Sequence, residues 1–139
     1  MPLSQSLTPA RSFPHFNSLI YQGTTPVVVN TAANVTYTVQ QVLGGAILRD
    51  TAAGARTDTL PTAAQLVAGL SGVAVGTTIE LAIRDDGANT ITVSAGTGGT
   101  ASGTMTIATL NLKRFWIRFT NVTPGTEAYT VYSLGSVVF

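Results

Sequence analysis

Cysteine is absent from the 139 residues. Disulfides, thiolate catalysis and cysteine-ligated metals are therefore excluded, and cysteine usage gives no reading of the redox compartment. Charge is nearly as scarce. Seven Lys and Arg and six Asp and Glu make up 9% of the chain, against roughly 25% in ordinary soluble domains. The basic residues are scattered, with no run beyond Lys113-Arg114, so a nucleic-acid partner has no support. No apolar run approaches the roughly 20 residues of a membrane span, and Met1 to Ala10 has neither the basic region nor the apolar block of a signal peptide. Synthesis in a cytoplasm and no membrane partner are the expectations.

Catalytic chemistry is equally thin. The single histidine, His15, lies between Pro14 and Phe16, with no serine nearby in a nucleophile-elbow context. Asp85 and Asp86 are adjacent, project differently from a turn and are explained by turn preference rather than by paired-carboxylate chemistry. Asp85-Asp86-Gly87-Ala88-Asn89 lacks the spacing and the later bidentate glutamate of a calcium loop. Gly96-Thr97-Gly98-Gly99 is not followed by the Gly-Lys-Ser/Thr of a phosphate cradle. The chain reads as a non-enzyme with no cofactor and no metal.

What the chain does contain is 45% hydrophobic residues, with threonine the commonest residue. Its surface must be built of threonine, serine, glycine and alanine. So few charges leave little repulsion between molecules, which favours a subunit whose surface is largely used by neighbours. The alternative is a secreted β-domain with a threonine-rich solvated face.

The clearest local signal runs from Thr59 to Leu70. Thr62 followed by Gln65 is a capping box, in which each side chain satisfies an orphan backbone N–H of the first turn. Ala63, Leu66, Val67 and Leu70 share one face, Gln65 and Ala68 point away, and Gly69 and Gly72 are expected to supply the stop. A helix this short needs a sheet to bury that face against. Residues 1–25, with Pro2, Pro9 and Pro14, carry no sustained period and read as an extended N-terminal arm. Its Phe13, Phe16, Leu19, Ile20 and Tyr21 are too apolar for a linker and call for a partner surface, either this chain's own sandwich or a neighbouring subunit or scaffold.

Residues 26–139 read as a β-domain. Pro26 to Asn30, Asn34 to Gln40, Ala46 to Asp50, Thr77 to Arg84, Asn89 to Ala95, Gly103 to Thr109, Lys113 to Asn121 and Ala128 to Leu134 are predicted strands, with Ser136 to Phe139 a further candidate. Thr77 to Arg84 and Asn89 to Ala95 are expected to form a hairpin around Asp85-Asp86-Gly87. Thr51 to Asp58 and Gly96 to Thr100 are expected loops. The fold class is all-β, an antiparallel β-sandwich of jelly-roll type with one short helix. On the strand from Lys113, Phe115, Ile117 and Phe119 face one way, while Arg114, Trp116 and Arg118 face the other. Trp116 and Arg118 are candidate partner-binding residues, on a face expected to be covered by the helix or by another subunit. The same pair, with the Gly96 to Thr100 loop, could instead stack and hold a sugar ring.

The ordered string Ala46-Ile47-Leu48-Arg49-Asp50, Arg56-Thr57-Asp58-Thr59-Leu60-Pro61-Thr62-Ala63-Ala64, Gly96-Thr97-Gly98, Ser102-Gly103-Thr104-Met105-Thr106-Ile107 and Phe119-Thr120-Asn121-Val122-Thr123-Pro124-Gly125 resembles a module of tailed-bacteriophage and large-virus structural proteins. In those proteins it is part of head-decoration and fibre components. The resemblance spans residues 46 to 135 and carries over no catalytic residue. It implies a β-sandwich homotrimer on a virion, with a major capsid protein as partner. The function expected first is a capsid decoration or cement protein, and the alternative is a fibre or glycan-binding receptor module.

Overall fold

The computed structural model describes residues 25–139. The arm residues Phe13, Phe16, Leu19, Ile20 and Tyr21, and His15 with them, lie outside the described residues. The chain runs through β1 (Thr25–Asn30), α1 (Val39–Leu43), β2 (Gly45–Asp50), β3 (Arg56–Thr59), α2 (Ala63–Gly69) and β4 (Thr78–Asp85). It continues through β5 (Ile91–Ser94), β6 (Gly99–Ser102), β7 (Thr106–Ile107), β8 (Asn111–Asn121) and β9 (Ala128–Val138). One sheet has six strands in the order β1-β2-β4-β8-β9-β6, and a second has three in the order β3-β5-β7.

The protein is mostly β, as expected, but its sheets are mixed rather than antiparallel. β1–β2, β2–β4, β3–β5 and β6–β9 pair in parallel, while β4–β8, β8–β9 and β5–β7 are antiparallel. Parallel pairing requires crossovers. Here the crossover from β1 to β2 passes through α1, and that from β2 to β4 passes through β3 and α2. For the same reason the anticipated hairpin does not form: β4 and β5 follow one another in sequence yet belong to different sheets.

The inner face of the large sheet carries Ile47, Leu81, Ile83, Phe115, Ile117, Phe119, Tyr129 and Val131. Ile91, Val93 and Ile107 of the small sheet, Val42 of α1 and Leu66 of α2 complete one buried cluster with them. Helix α2 forms as its sequence requires. Thr62 Oγ1 accepts from Gln65 N–H at 3.1 Å and Gln65 Oε1 accepts from Thr62 N–H at 2.9 Å. Leu66 is fully buried and Gln65 exposed. Leu66→Ala is accordingly expected to cost ~2–5 kcal/mol by leaving a cavity, and Gln65→Ala at most ~1 kcal/mol. Urea unfolding of the two variants measures the difference; equal losses would mean that the helix is turned the other way.

Other expectations are corrected. Asn34 to Gln40 is not a strand. Tyr37 N–H donates to Thr59 O at 2.9 Å and Thr59 N–H to Val35 O at 2.8 Å, a single bridge beside β3. The chain then turns into α1 under a second capping box, Thr38 with Gln41. Among the described residues there are thus two short helices rather than one. Arg56–Thr59, expected to be mostly loop, is β3, and the Gly96–Thr100 loop already enters β6 at Gly99. The strand expected over Gly103 to Thr109 is reduced to Thr106–Ile107, and the tail from Ser136 continues β9. Gly69 does not cap α2, which ends on Leu70 in extended geometry. A β-carbon at Gly69 would lie 2.5 Å from Val39 Cγ1, so the glycine lets the two helices approach.

Candidate interaction face and buried polar groups

Both helices and the small sheet pack on the inner face of the large sheet, and among the described residues nothing covers its outer face. The alternation of β8 decides what that face shows: Lys113, Phe115, Ile117 and Phe119 turn inward, and Arg114, Trp116, Arg118 and Thr120 turn outward. Trp116 is 47% exposed. It stands opposite Glu80 on β4 and Tyr132 on β9. With Arg118, Tyr132, Ser133 and Leu134 it lines an open, mostly apolar groove of about 340 Å³. The helix therefore does not cover Trp116, which corrects one of the two covers expected from sequence.

Charges on this face are largely matched within it. Arg114 Nη2 donates to Glu80 Oε1 at 2.7 Å and Oε2 at 2.8 Å, and Trp116 Nε1–H donates to Glu80 Oε2 at 3.1 Å. The hydrogen bond from Arg114, helped by the one from Trp116, holds the Glu80 carboxyl below its ordinary range. Arg84 pairs with Asp86, and its guanidinium carbon lies 3.6 Å from the centre of the Phe139 ring. Arg118 has no carboxylate partner among the described residues. Trp116 and Arg118 are thus brought together as the sequence suggested. The Gly96–Thr100 loop is not part of the groove: Gly96 is buried on the inner side, where its N–H donates to Tyr129 Oη at 2.8 Å.

Sequence reasoning missed a fully buried polar cluster. Arg49 Nε donates to Asp58 Oδ2 at 2.7 Å and Nη2 to Oδ1 at 3.2 Å, while Tyr37 Oη donates to Oδ2 at 2.7 Å. The remaining Arg49 donors reach the carbonyls of Thr31 and Asp50 from Nη1, at 2.9 and 2.8 Å, and of Ala33 from Nη2 at 2.8 Å. All five guanidinium N–H groups are engaged. Burial, and then the Asp58 carboxylate, push the Tyr37 phenol well above its ordinary range. Burial disfavours the Arg49 cation, but hydrogen bonding and attraction from Asp58 outweigh it and leave its pKa raised. The signal for this cluster was the alternation of β2, which places Arg49 on the same face as Ile47. A cation on an apolar face demands an acid, and Asp58 supplies it. With every donor matched, the cluster fastens β2, β3 and the segment after β1 to one another.

Two further inward groups bear charge. Lys113 Nζ donates to the carbonyls of Thr104 at 2.7 Å and Thr106 at 2.6 Å, with no carboxylate, and burial lowers its pKa. Asp85 is fully buried, and burial raises its pKa. Among the described residues no group of three or more His, Cys, Asp or Glu is arranged to hold a metal. No helix among them is long and apolar enough to cross a membrane. No family model, curated protein or solved structure matches the chain.

Proposed function

We propose that this chain is a virion structural protein that decorates a capsid as a homotrimer, binding a major capsid protein and reinforcing the shell. The observation that carries the reading is the face of the six-stranded sheet left uncovered by the described residues, where a half-exposed tryptophan sits beside an apolar groove and the charges are mostly neutralised in place. A Trp with Arg beside it is the composition of an interface anchor, and a chain with so few charges has little to keep neighbours apart. The resemblance of residues 46 to 135 to virion modules points the same way. Phe13, Phe16, Leu19, Ile20 and Tyr21 of the N-terminal segment are the proposed capsid contacts. Three such segments on one trimer would bind cooperatively, because the second and third engage at high effective concentration.

The self-association is tested by light scattering on the full chain and on Trp116→Asp. The wild type is expected to be a trimer. The variant is expected to lose at least ~2 kcal/mol of contact energy, about 30-fold in affinity, and to fall towards monomer. An unchanged trimer would remove this face from the interface. The function is tested by composition: the chain should be present in gradient-purified virus particles, and its absence from them would refute the reading.

A second reading, a fibre or glycan-binding receptor module, is favoured by one feature, the groove with Trp116 and Tyr132 as stacking surfaces and Arg118 as a donor that no carboxylate among the described residues engages. A monomeric chain that binds on a glycan array, and loses binding with Trp116→Ala, would establish it over the first.

A further inference from the structure

β1, β2 and β4 run parallel as neighbours and finish at one edge of the sheet with Asn30, Asp50 and Asp85. The turns after β2 and β4 fold together over that edge, and Asp86 N–H donates to Arg49 O at 2.9 Å. Gly87 marks where they meet. The point where its β-carbon would sit is 2.7 Å from Asp50 Oδ1, 3.3 Å from Thr51 N and 3.4 Å from Asp85 Oδ1. No residue with a side chain fits there without displacing those atoms.

The oxygens in this place are incompletely satisfied. Asp85 and Thr51 are both fully buried. Asp85 Oδ1 accepts from Gly87 N–H at 2.9 Å, but Asp85 Oδ2 and Thr51 Oγ1 have no hydrogen-bond partner. A buried polar atom left in that state is strongly disfavoured, and a charged one more so. Asp50 Oδ1 accepts only from Ala52 N–H, at 2.8 Å. Of the nearby cations, Arg49 is committed to Asp58 and to backbone carbonyls, although its charge still favours the Asp85 carboxylate. Arg84 is committed to Asp86, and Arg56 reaches Ala53 O through Nη2 with its buried Nε unpartnered. Two carboxylates therefore approach one another at Gly87, beside a residue with a buried, unpartnered hydroxyl, and no side-chain cation is hydrogen-bonded to either.

We propose that Asp50, Thr51 and Asp85 hold a calcium ion at this edge of the sheet. All the available donors are oxygens, the chemistry of a hard cation. Calcium accepts irregular sets of 6–8 oxygens, including hydroxyls, backbone carbonyls and water, whereas magnesium demands a near-ideal octahedron. Two carboxylates fall short of the acidic count of a sensor loop, so affinity is expected on the order of 10⁻⁴–10⁻³ M. The ion would tie the ends of β2 and β4 together. This site is independent of the outer face and of the proposed function.

Thermal unfolding of the full chain, stripped with chelator and then titrated with CaCl₂ or MgCl₂ to about 10 mM, tests the site. Calcium is expected to raise the wild-type midpoint by several degrees and magnesium by less. Asp85→Asn and Asp50→Asn should each abolish the response. Asp50 is only partly buried, so its variant carries the test if Asp85→Asn does not fold. Isothermal titration calorimetry should give one site in the wild type. A wild type indifferent to calcium, or a response retained in both variants, would overturn the proposal. So would a midpoint raised by Asp85→Asn in a protein that ignores calcium, which would assign a proton to the buried carboxyl instead.

Discussion

Asp58→Ala is expected to destabilise the protein by ~3–5 kcal/mol, because it leaves the Arg49 guanidinium buried without its counter-charge. The loss extends past the ion pair. Tyr37 Oη and Val35 N–H would also lose their acceptors, 2.7 and 3.1 Å away. Against a typical domain stability of ~5–15 kcal/mol, this is enough to bring the chain close to unfolding at room temperature. Urea or guanidinium unfolding followed by circular dichroism measures it. A loss under about 1 kcal/mol would show that water reaches Arg49 and that the pair is not truly buried. The double variant Arg49→Met/Asp58→Leu should recover much of the loss, since apolar residues of similar volume often replace a buried pair at little cost. Failure to recover would mean that the arginine's bonds to the Thr31, Ala33 and Asp50 carbonyls matter as much as its charge.

Gly96→Ala is expected to cost on the order of 3 kcal/mol, through overpacking and the loss of buried hydrogen bonds. The added β-carbon would lie 2.3 Å from Leu60 O and 2.6 Å from Pro61 O, both backbone atoms. Those atoms cannot retreat freely. Pro61 O accepts from Tyr129 Oη at 3.0 Å, Leu60 N–H donates to Ser94 O at 2.9 Å and Ala63 N–H to Thr97 O at 2.8 Å. The methyl group would push the start of α2 off the segment that follows β5. Gly125→Ala is the control. It has a φ of +88° but nothing within 4 Å of the added carbon, so only backbone strain of ~1–2 kcal/mol should appear. Equal shifts in the unfolding midpoint for the two variants would mean that the contact at Gly96 relaxes.

The elements legible in the sequence were those with a local physical cause. The Thr62–Gln65 capping box and the alternation of Phe115, Ile117 and Phe119 depend on residues a few positions apart, and both appear in the structure as read. The Thr38–Gln41 box was equally local, but the alternation of Val35, Tyr37 and Val39 imitated a strand and hid it. Sheet membership was not legible. The Asp85-Asp86-Gly87 turn looks like a hairpin because turn chemistry reports a change of direction and says nothing about which sheet receives the next strand. Parallel pairing was missed for the same reason, since its partners are set by crossovers rather than by turns. At the candidate site, the outward direction of Trp116 and Arg118 was readable from period two. The absence of a cover among the described residues was not, because it depends on where both helices pack.

The position of β9 in the large sheet has a bearing on biosynthesis. β9 lies between β8 and β6 and pairs with both, yet β6 is made long before it. As the nascent chain emerges, β6 has no strand of the large sheet to join. Tyr129, whose ring lies against Gly99 and whose hydroxyl bridges Gly96 and Pro61, arrives only with β9. The region around α2 therefore acquires its last support only when β9 is made. Contacts so distant in sequence place folding towards the slow, millisecond-to-second end of the range for domains of this size. A ribosome stalled before Ala128 would hold a chain in which β6 is already made but has no partner strand.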